Sequence, residues 1–251
     1  MTILNNTKKE LLIAKRAAKE AGNFLLNNKN AMKNILFSSK KDIKLQADIT
    51  SEKIIKDIIL ADSKIPILAE ESGMSSKRAT NTFWVIDPLD GTANYFRDIP
   101  LCCVSIALIS NLKPILGVIY DFNCDNLYEG SINSSACLNE KQISVSKIKT
   151  SHEGVLITGL PNATDYSDKA MIEMVKNFQN WRKVRMIGSA ALASVYIASG
   201  KADLYTENKT YLWDVAAGAA IVNAAGGEAL ILNQNKKFQV DVHFSNSLIK
   251  T

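Results

Sequence analysis

Apolar side chains recur at Leu11, Leu12, Ala14, Ala18, Ala21 and Leu25, a period that predicts an amphipathic helix over residues 8–28. Paired isoleucines in "SEKIIKDIIL" predict a second helix over Ser51–Leu60, and "IPILAEES" reads as a short strand ending in acids. The run Trp84-Val85-Ile86 is strand-like and leads into Asp87 and Asp90. "LCCVSIALISNLKPILGVIYDF" reads as two strands joined by a turn at Asn111 to Pro114. Further on, 166–180 reads as helix, "VRMIG" as strand and "SAALASVYIASG" as a small-residue helix closed by Gly200. "KADLYT" reads as strand, and "DVAAGAAIVNAAGG" as a helix that Asp214 caps and Gly226-Gly227 end. Helices and strands alternate in mixed order, with no internal repeat, so a layered α/β or α+β fold is expected.

A chain of 251 residues can bury a substantial core as one domain or two packed lobes. Its 47% apolar and 22% charged residues are those of a globular protein, and no apolar run approaches the roughly 20 residues that span a bilayer. The net charge of +5 is spread rather than clustered. With no dense basic stripe or RNP-type aromatic pattern, nucleic acid is not an expected partner. The polar-then-amphipathic N-terminus does not read as a signal peptide. Cys102, Cys103, Cys124 and Cys137 lack CxxC spacing and are expected to be buried free thiols, which with the N-terminus points to the cytoplasm.

Acids supply the candidate chemistry. Asp87 and Asp90 flank a proline and precede Gly91-Thr92; Glu70-Glu71 end a predicted strand; Asp214 opens a helix; Asp48 lies in "KLQADIT". Taken singly, each suits turn or cap chemistry. Together they follow apolar stretches or begin helices, where layered folds gather their sites. Carboxylates sharing one pocket need a counter-charge, and oxygen-rich sets without His or Cys suit Mg²⁺ or Mn²⁺. His152 and His243 stand outside these motifs and are expected on the surface, which argues against a histidine nucleophile. If Gly91-Thr92 opens a helix, its free N–H groups can hold a phosphate while the threonine hydroxyl orients a water. That combination describes metal-assisted phosphate hydrolysis. No Walker A sequence occurs.

"DPLDGTANY" from Asp87, "WDVAAGAAIVNAAGG" from Trp213 and "AEES" from Ala69 resemble the three signatures of the inositol monophosphatase family, in the same order and at similar separations. The resemblance implies an α+β fold, a layered αβαβα sandwich of the sugar-phosphatase type. It implies one domain over 1–251, built of two packed halves meeting near 140–155, with the site between them. By position, Glu70, Asp87 and the Leu89 carbonyl would hold a first Mg²⁺ and Asp87, Asp90 and Asp214 a second. A third, weaker ion would sit beside Glu70. Gly91 and Thr92 would bind phosphate, and Thr92 with Asp48 would activate the water. Ala69 stands where the family usually has Gly, and "DIKLQADIT" follows the family pattern loosely. Nothing is assigned after Asn233. A homodimer and lithium inhibition are further implications.

For the substrate, the resemblance points to a small phosphorylated polyol, myo-inositol monophosphate. Glu207, seven residues before Asp214, would accept its hydroxyls, and "GSAA" from Gly188 (Gly188, Ser189, Ala190) resembles the sugar-facing loop. Fructose 1,6-bisphosphate, 3′-phosphoadenosine 5′-phosphate and histidinol phosphate are alternatives on the same fold, with Lys209 and Arg185 available to a second phosphate. An interaction protein that has lost the chemistry, docking on RNA or a transcription complex, is a further alternative. The intact acid set argues against it.

Overall fold

The computed structural model describes residues 7–39, 43–76, 80–161 and 163–249. In chain order the elements are α1 (Thr7–Asn27), α2 (Lys29–Met32), β1 (Ile35–Ser38), β2 (Ile43–Leu45), α3 (Gln46–Asp62), β3 (Ile67–Ala69), β4 (Gly73–Met74), β5 (Thr82–Asp90), α4 (Thr92–Phe96), β6 (Cys103–Ser110) and β7 (Lys113–Asp121). Then follow β8 (Asn126–Ser131), β9 (Ser134–Leu138), β10 (Lys141–Gln142), β11 (Val155–Thr158), α5 (Asp168–Phe178), β12 (Lys183–Arg185), α6 (Ala190–Ala198), β13 (Leu204–Tyr211), α7 (Leu212–Ala224), β14 (Glu228–Leu232) and β15 (Gln239–Ser245).

Two sheets organise the molecule. One has eight strands in the order β10-β9-β8-β7-β6-β5-β3-β4, antiparallel except for β3 beside β5. The other has five in the order β12-β11-β13-β15-β14, with β11 parallel to both its neighbours. Alternation along β5 and β6 sends side chains to opposite faces. Trp84, Ile86, Val104, Ile106 and Leu108 face α1 and α3, where Ile13, Ala14, Ala17, Ala18, Ala21 and Leu25 form the buried stripe. Val85, Cys103, Ala107 and Ile109 face α6 and α7, which pack in turn on Tyr205, Val240, Val242 and Phe244 of the second sheet. The outer face of that sheet meets Phe178 of α5 through Leu156, Leu204 and Trp181. The layers therefore run helix, sheet, helix, sheet, helix: the αβαβα order.

The central helix layer is thin because its contacts lack side chains. A Cβ on Gly117 of β7 would run into the backbone of Ala217, and one on Gly130 of β8 would lie 2.9 Å from the Ala224 Cβ. Both glycines let α7 lie against the sheet at backbone distance.

Several details differ from the sequence reading. Leu12 is exposed, on the solvent face of α1. The helix read from Ser51 begins five residues earlier at Gln46, which puts Asp48 in its first turn. The β6–β7 connection is a two-residue turn at Asn111-Leu112, both at positive φ (50° and 63°), as the right-handed strand twist favours. Pro114 is thus inside β7, beside an irregularity in the ladder rather than in the turn. Asp214 is the third residue of α7 and not its cap: Tyr211 occupies that place, and Asp214 reaches back to accept its N–H. All four cysteines are free, but Cys124 is exposed and Cys137 only half-buried. His152 is exposed while His243 is half-buried in β15, between Thr206 and Leu230. β8, β9, β10, β14 and β15 were not read from the pattern.

Candidate active site

Four chain segments, with the turn after β3 that carries Glu70 and Glu71 beside them, build the cleft by ending near one another. β5 carries Asp87 and Asp90, and its pairing with β6 slips between them, so the strand bulges at Pro88-Leu89 and turns both carboxylates out of the sheet. Asp87 Oδ1 accepts the Leu89 N–H at 3.0 Å, closing the turn. Gly91 follows in the left-handed region (φ 89°), where a Cβ would strike the Leu101 carbonyl, so this corner requires glycine. Thr92 then starts α4.

Asp48 arrives from α3. Its Oδ2 accepts the Leu45 N–H at 2.7 Å, and its Oδ1 accepts the Thr92 hydroxyl at 2.9 Å across 44 residues. Thr92 Oγ1 also lies 3.0 Å from the Leu89 carbonyl, two acceptors for one proton. Burial raises the Asp48 carboxyl to about 6. Glu70 and Glu71 follow β3 in a turn. Glu71 is tied down: its carboxylate pairs with Lys44 at 2.9 Å, and its N–H donates to Glu52 Oε2 at 2.9 Å.

The third segment is the start of α6. Ser189 caps it and donates its hydroxyl to Asp90 Oδ2, the same oxygen that accepts the Ala191 N–H at 2.8 Å, while Oδ1 accepts the Ala190 N–H at 3.3 Å. The Ser189 proton is therefore spent on Asp90, leaving its oxygen able only to accept. Asn94, in the first turns after Asp90, donates to the Leu101 and Ile187 carbonyls at 2.8 Å each, holding the loop that carries Gly188. Gly188 itself is in the left-handed region (φ 71°). The fourth segment is the β13–α7 junction, where Asp214 Oδ2 accepts the Thr210 hydroxyl at 2.6 Å and the Tyr211 N–H at 2.9 Å.

Electrostatics show these acids facing one another. Burial, then Asp214, Glu71 and Asp48, hold the Glu70 carboxyl well above its ordinary value. Burial, then Glu70, Asp90 and Asp214, do the same to Asp87. Burial raises Asp90, opposed by its bonds to Ser189 and the α6 N–H groups. Burial and Asp90 push Asp214 up to about 7. Among the described residues no ion pair from lysine or arginine reaches Glu70, Asp87, Asp90 or Asp214. Nor do any three His, Cys, Asp or Glu side chains among them stand close enough together to hold a metal ion as they are placed. A set of buried, mutually repelling carboxylates with carbonyl and hydroxyl oxygens beside it, lacking a protein cation, fits a hard divalent ion in charge and donor type.

Glu207 lies at the edge of this group. Its Oε2 accepts the Tyr205 hydroxyl at 2.8 Å, and burial, together with Asp214 and Asp90, raises its carboxyl to about 7. Thr92, Gly91 and Gly188 line a cavity of about 400 Å³ whose far wall is Ser38, Ser39 and Ile43 beside the β1–β2 hairpin. Lys209 and Arg185 do not converge. Register sets Arg185 and Tyr205 on either side of Ile157, with Lys209 four residues (about 13 Å) further along its strand. Asn94, Thr210 and Tyr205 were missed from the sequence. Asn94 stands within the "GTANY" motif, but nothing in the spacing announces a partner 93 residues away.

Fold and site together define a layered α+β protein in which buried carboxylates from several stretches of chain converge. The inositol monophosphatase family description matches residues 7–249. The Nus factor SuhB of Xylella fastidiosa is 38% identical over 84% of this chain and 78% of its own. The fructose-1,6-bisphosphatase/inositol-1-monophosphatase of Aquifex aeolicus is 33% identical over 89% of this chain and 86% of its own. Among solved structures, inositol monophosphatase from Anabaena superposes with a TM-score of 0.83 at 33% identity, covering 96% of this chain and 92% of that one. The chain belongs to the inositol monophosphatase family.

Proposed function

We propose that the chain is a Mg²⁺-dependent phosphomonoesterase that hydrolyses myo-inositol monophosphate to inositol and phosphate. The observation that carries this reading is the gathering of Glu70, Asp87, Asp90 and Asp214, four buried carboxylates from three distant stretches of chain, each raised by burial. Glu70, Asp87 and the Leu89 carbonyl would hold one ion, and Asp87, Asp90 and Asp214 another; Mn²⁺ suits the same donors. When bound, the ions supply acidification of the attacking water and charge relief at the phosphate and the leaving oxygen.

The protein's own groups do the rest. The Gly91 and Thr92 N–H groups face the cavity at the start of α4 and hold the phosphate. The Thr92 hydroxyl accepts a hydrogen bond from the water and passes its own proton to Asp48, whose raised pKa makes it a receptive base near neutrality. Asp90, held by Ser189 and the α6 N–H groups, keeps its position without spending substrate contacts. Glu207 and the Gly188–Ala190 loop face the substrate hydroxyls, with the Ser189 oxygen as acceptor. The same reading extends to a homodimer and to lithium inhibition.

A second role is supported by the 38% identity to a relative named as a Nus factor. It is compatible with catalysis, because the acid set is intact. Phosphate release is measured with and without Mg²⁺ from inositol 1-phosphate, fructose 1,6-bisphosphate, histidinol phosphate and 3′-phosphoadenosine 5′-phosphate. Inositol 1-phosphate should be turned over best, and only with metal. No release from any ester by folded, metal-loaded protein would shift the weight to the partner role.

A further inference from the structure

A second cavity, apart from the one beside Thr92, has a volume of about 490 Å³ and lies between α5, the β11–α5 connection and β13. Leu156, Leu160, Pro161, Met171, Met174 and Phe178 supply the apolar part of its lining, and the rest is polar, with Asp165, Glu173, Asn177 and Lys209 among its side chains. Glu207 lines it as well, and the charges of Asp214 and Asp90 act on the same carboxyl. This one carboxylate therefore stands at the seam between the acidic cleft and the apolar cavity. Gly159 makes the seam possible, since a Cβ there would lie 2.7 Å from Glu207 Oε2. The backbone leaving β11 passes against the carboxylate and opens the cavity behind it.

We infer that this cavity is a second substrate compartment, taking an apolar substituent carried on the far side of the phosphorylated polyol from its phosphate. The orientation rests on the proposed phosphatase reading, which puts phosphate at Thr92 and a hydroxyl at Glu207. A cavity of this size lies within the range of small-molecule sites, and its lining joins a group of apolar side chains to polar ones, Glu207 among them. An inositol ring bearing only hydroxyls would leave these walls facing water. α5 contributes no fully buried residue, so the methionines on its inner face have no other core to fill. Methionine is the side chain that adapts most readily to an irregular apolar guest. The rim adds little positive charge, because Lys209 stands beside Asp165. A second phosphate is therefore a poor occupant and a neutral apolar group a good one.

The test uses glycerol 1-phosphate and its 3-O-phenyl ether, which share the primary phosphate ester and the C2 hydroxyl and differ at C3, where phenyl replaces the hydroxyl proton. With wild-type protein and Mg²⁺ the ether should show a KM at least about tenfold lower at similar kcat, the scale of a modest apolar pocket. Met174→Trp, which fills the cavity from an intermediate position on α5, should erase that advantage while leaving glycerol 1-phosphate unaffected. Ala170→Leu is the milder version should the tryptophan disturb folding. Calorimetric binding of the dephosphorylated alcohol, 3-phenoxypropane-1,2-diol, needs no turnover and should be detectable for wild type and lost in the filled variants. Binding without hydrolysis of either ester would keep the compartment and refute the phosphatase reading. Equal KM values for the two esters, or alcohol binding undiminished by filling, would overturn the compartment itself.

Discussion

Asp90 does two jobs that a sequence shows as one. It stands in the acid cluster, and it accepts the Ser189 hydroxyl and the first N–H groups of α6, joining β5 to α6 across about 100 residues. Asparagine retains an acceptor oxygen for those bonds but loses the charge. Asp90→Asn should therefore keep the wild-type circular dichroism spectrum and lose at least about 100-fold in kcat, the scale of one electrostatic stabiliser. Near-wild-type turnover would remove Asp90 from the ligand set. Thr92→Ala takes away the cavity-lining hydroxyl that Asp48 accepts, and kcat should fall about 10²- to 10⁴-fold with KM little changed. A rise in KM alone would mean that Thr92 binds and does not relay. Glu207→Ala should weaken inositol 1-phosphate hydrolysis more than hydrolysis of an ester without ring hydroxyls. Equal losses would place Glu207 outside the substrate site.

At the scale of elements, the small-residue helices α6 and α7 are placed by what they lack. A Cβ on Gly218 would overlap the Ser194 side chain of α6. Gly218→Ala gains about 1 kcal/mol of helix propensity, but the overlap costs about 1–3 kcal/mol, and the overlap is expected to win. The urea midpoint should fall with an unchanged slope; a raised midpoint would show that the α6–α7 contact yields. These helices were legible in the sequence because their runs are long and end in glycine. β5, β6 and β7 were legible because buried strands are continuous apolar runs. β8 to β10 were not, since "NLYEGS" and "SSACL" mix polar and apolar residues without a sustained period although β8 is largely buried. β15 was missed although "QVDVHFS" alternates polar and apolar residues strictly and is paired on both sides, because it follows a polar stretch after Asn233. The metal-ligand candidates were readable as motifs. The Asn94, Ser189 and Thr210 bonds that position them join residues whose proximity only the fold creates.

For the whole molecule, the acid cluster makes stability depend on pH and on metal. Asp48 is raised from 3.8 to about 6, Asp214 from 3.8 to about 7 and Glu207 from 4.5 to about 7. Each folded value lies above the unfolded one. The stability each contributes is complete below its unfolded value and is lost as pH rises through about 6 to 7. Metal-free protein should therefore have a lower Tm at pH 8 than at pH 5. Added Mg²⁺, which binds the ionised acids, should raise Tm more at pH 8 than at pH 5.5. An equal shift at both values would mean that the ion binds elsewhere.

The central claim is that these carboxylates hold the ions that make this chain a phosphatase. The direct measurement is the rate of phosphate release from inositol 1-phosphate as Mg²⁺ is titrated into metal-free wild-type protein and into Asp214→Asn. Saturable activation of the wild type, with activation in the variant lost or moved to much higher Mg²⁺, is the expected result. The same activation curve for both proteins would contradict it.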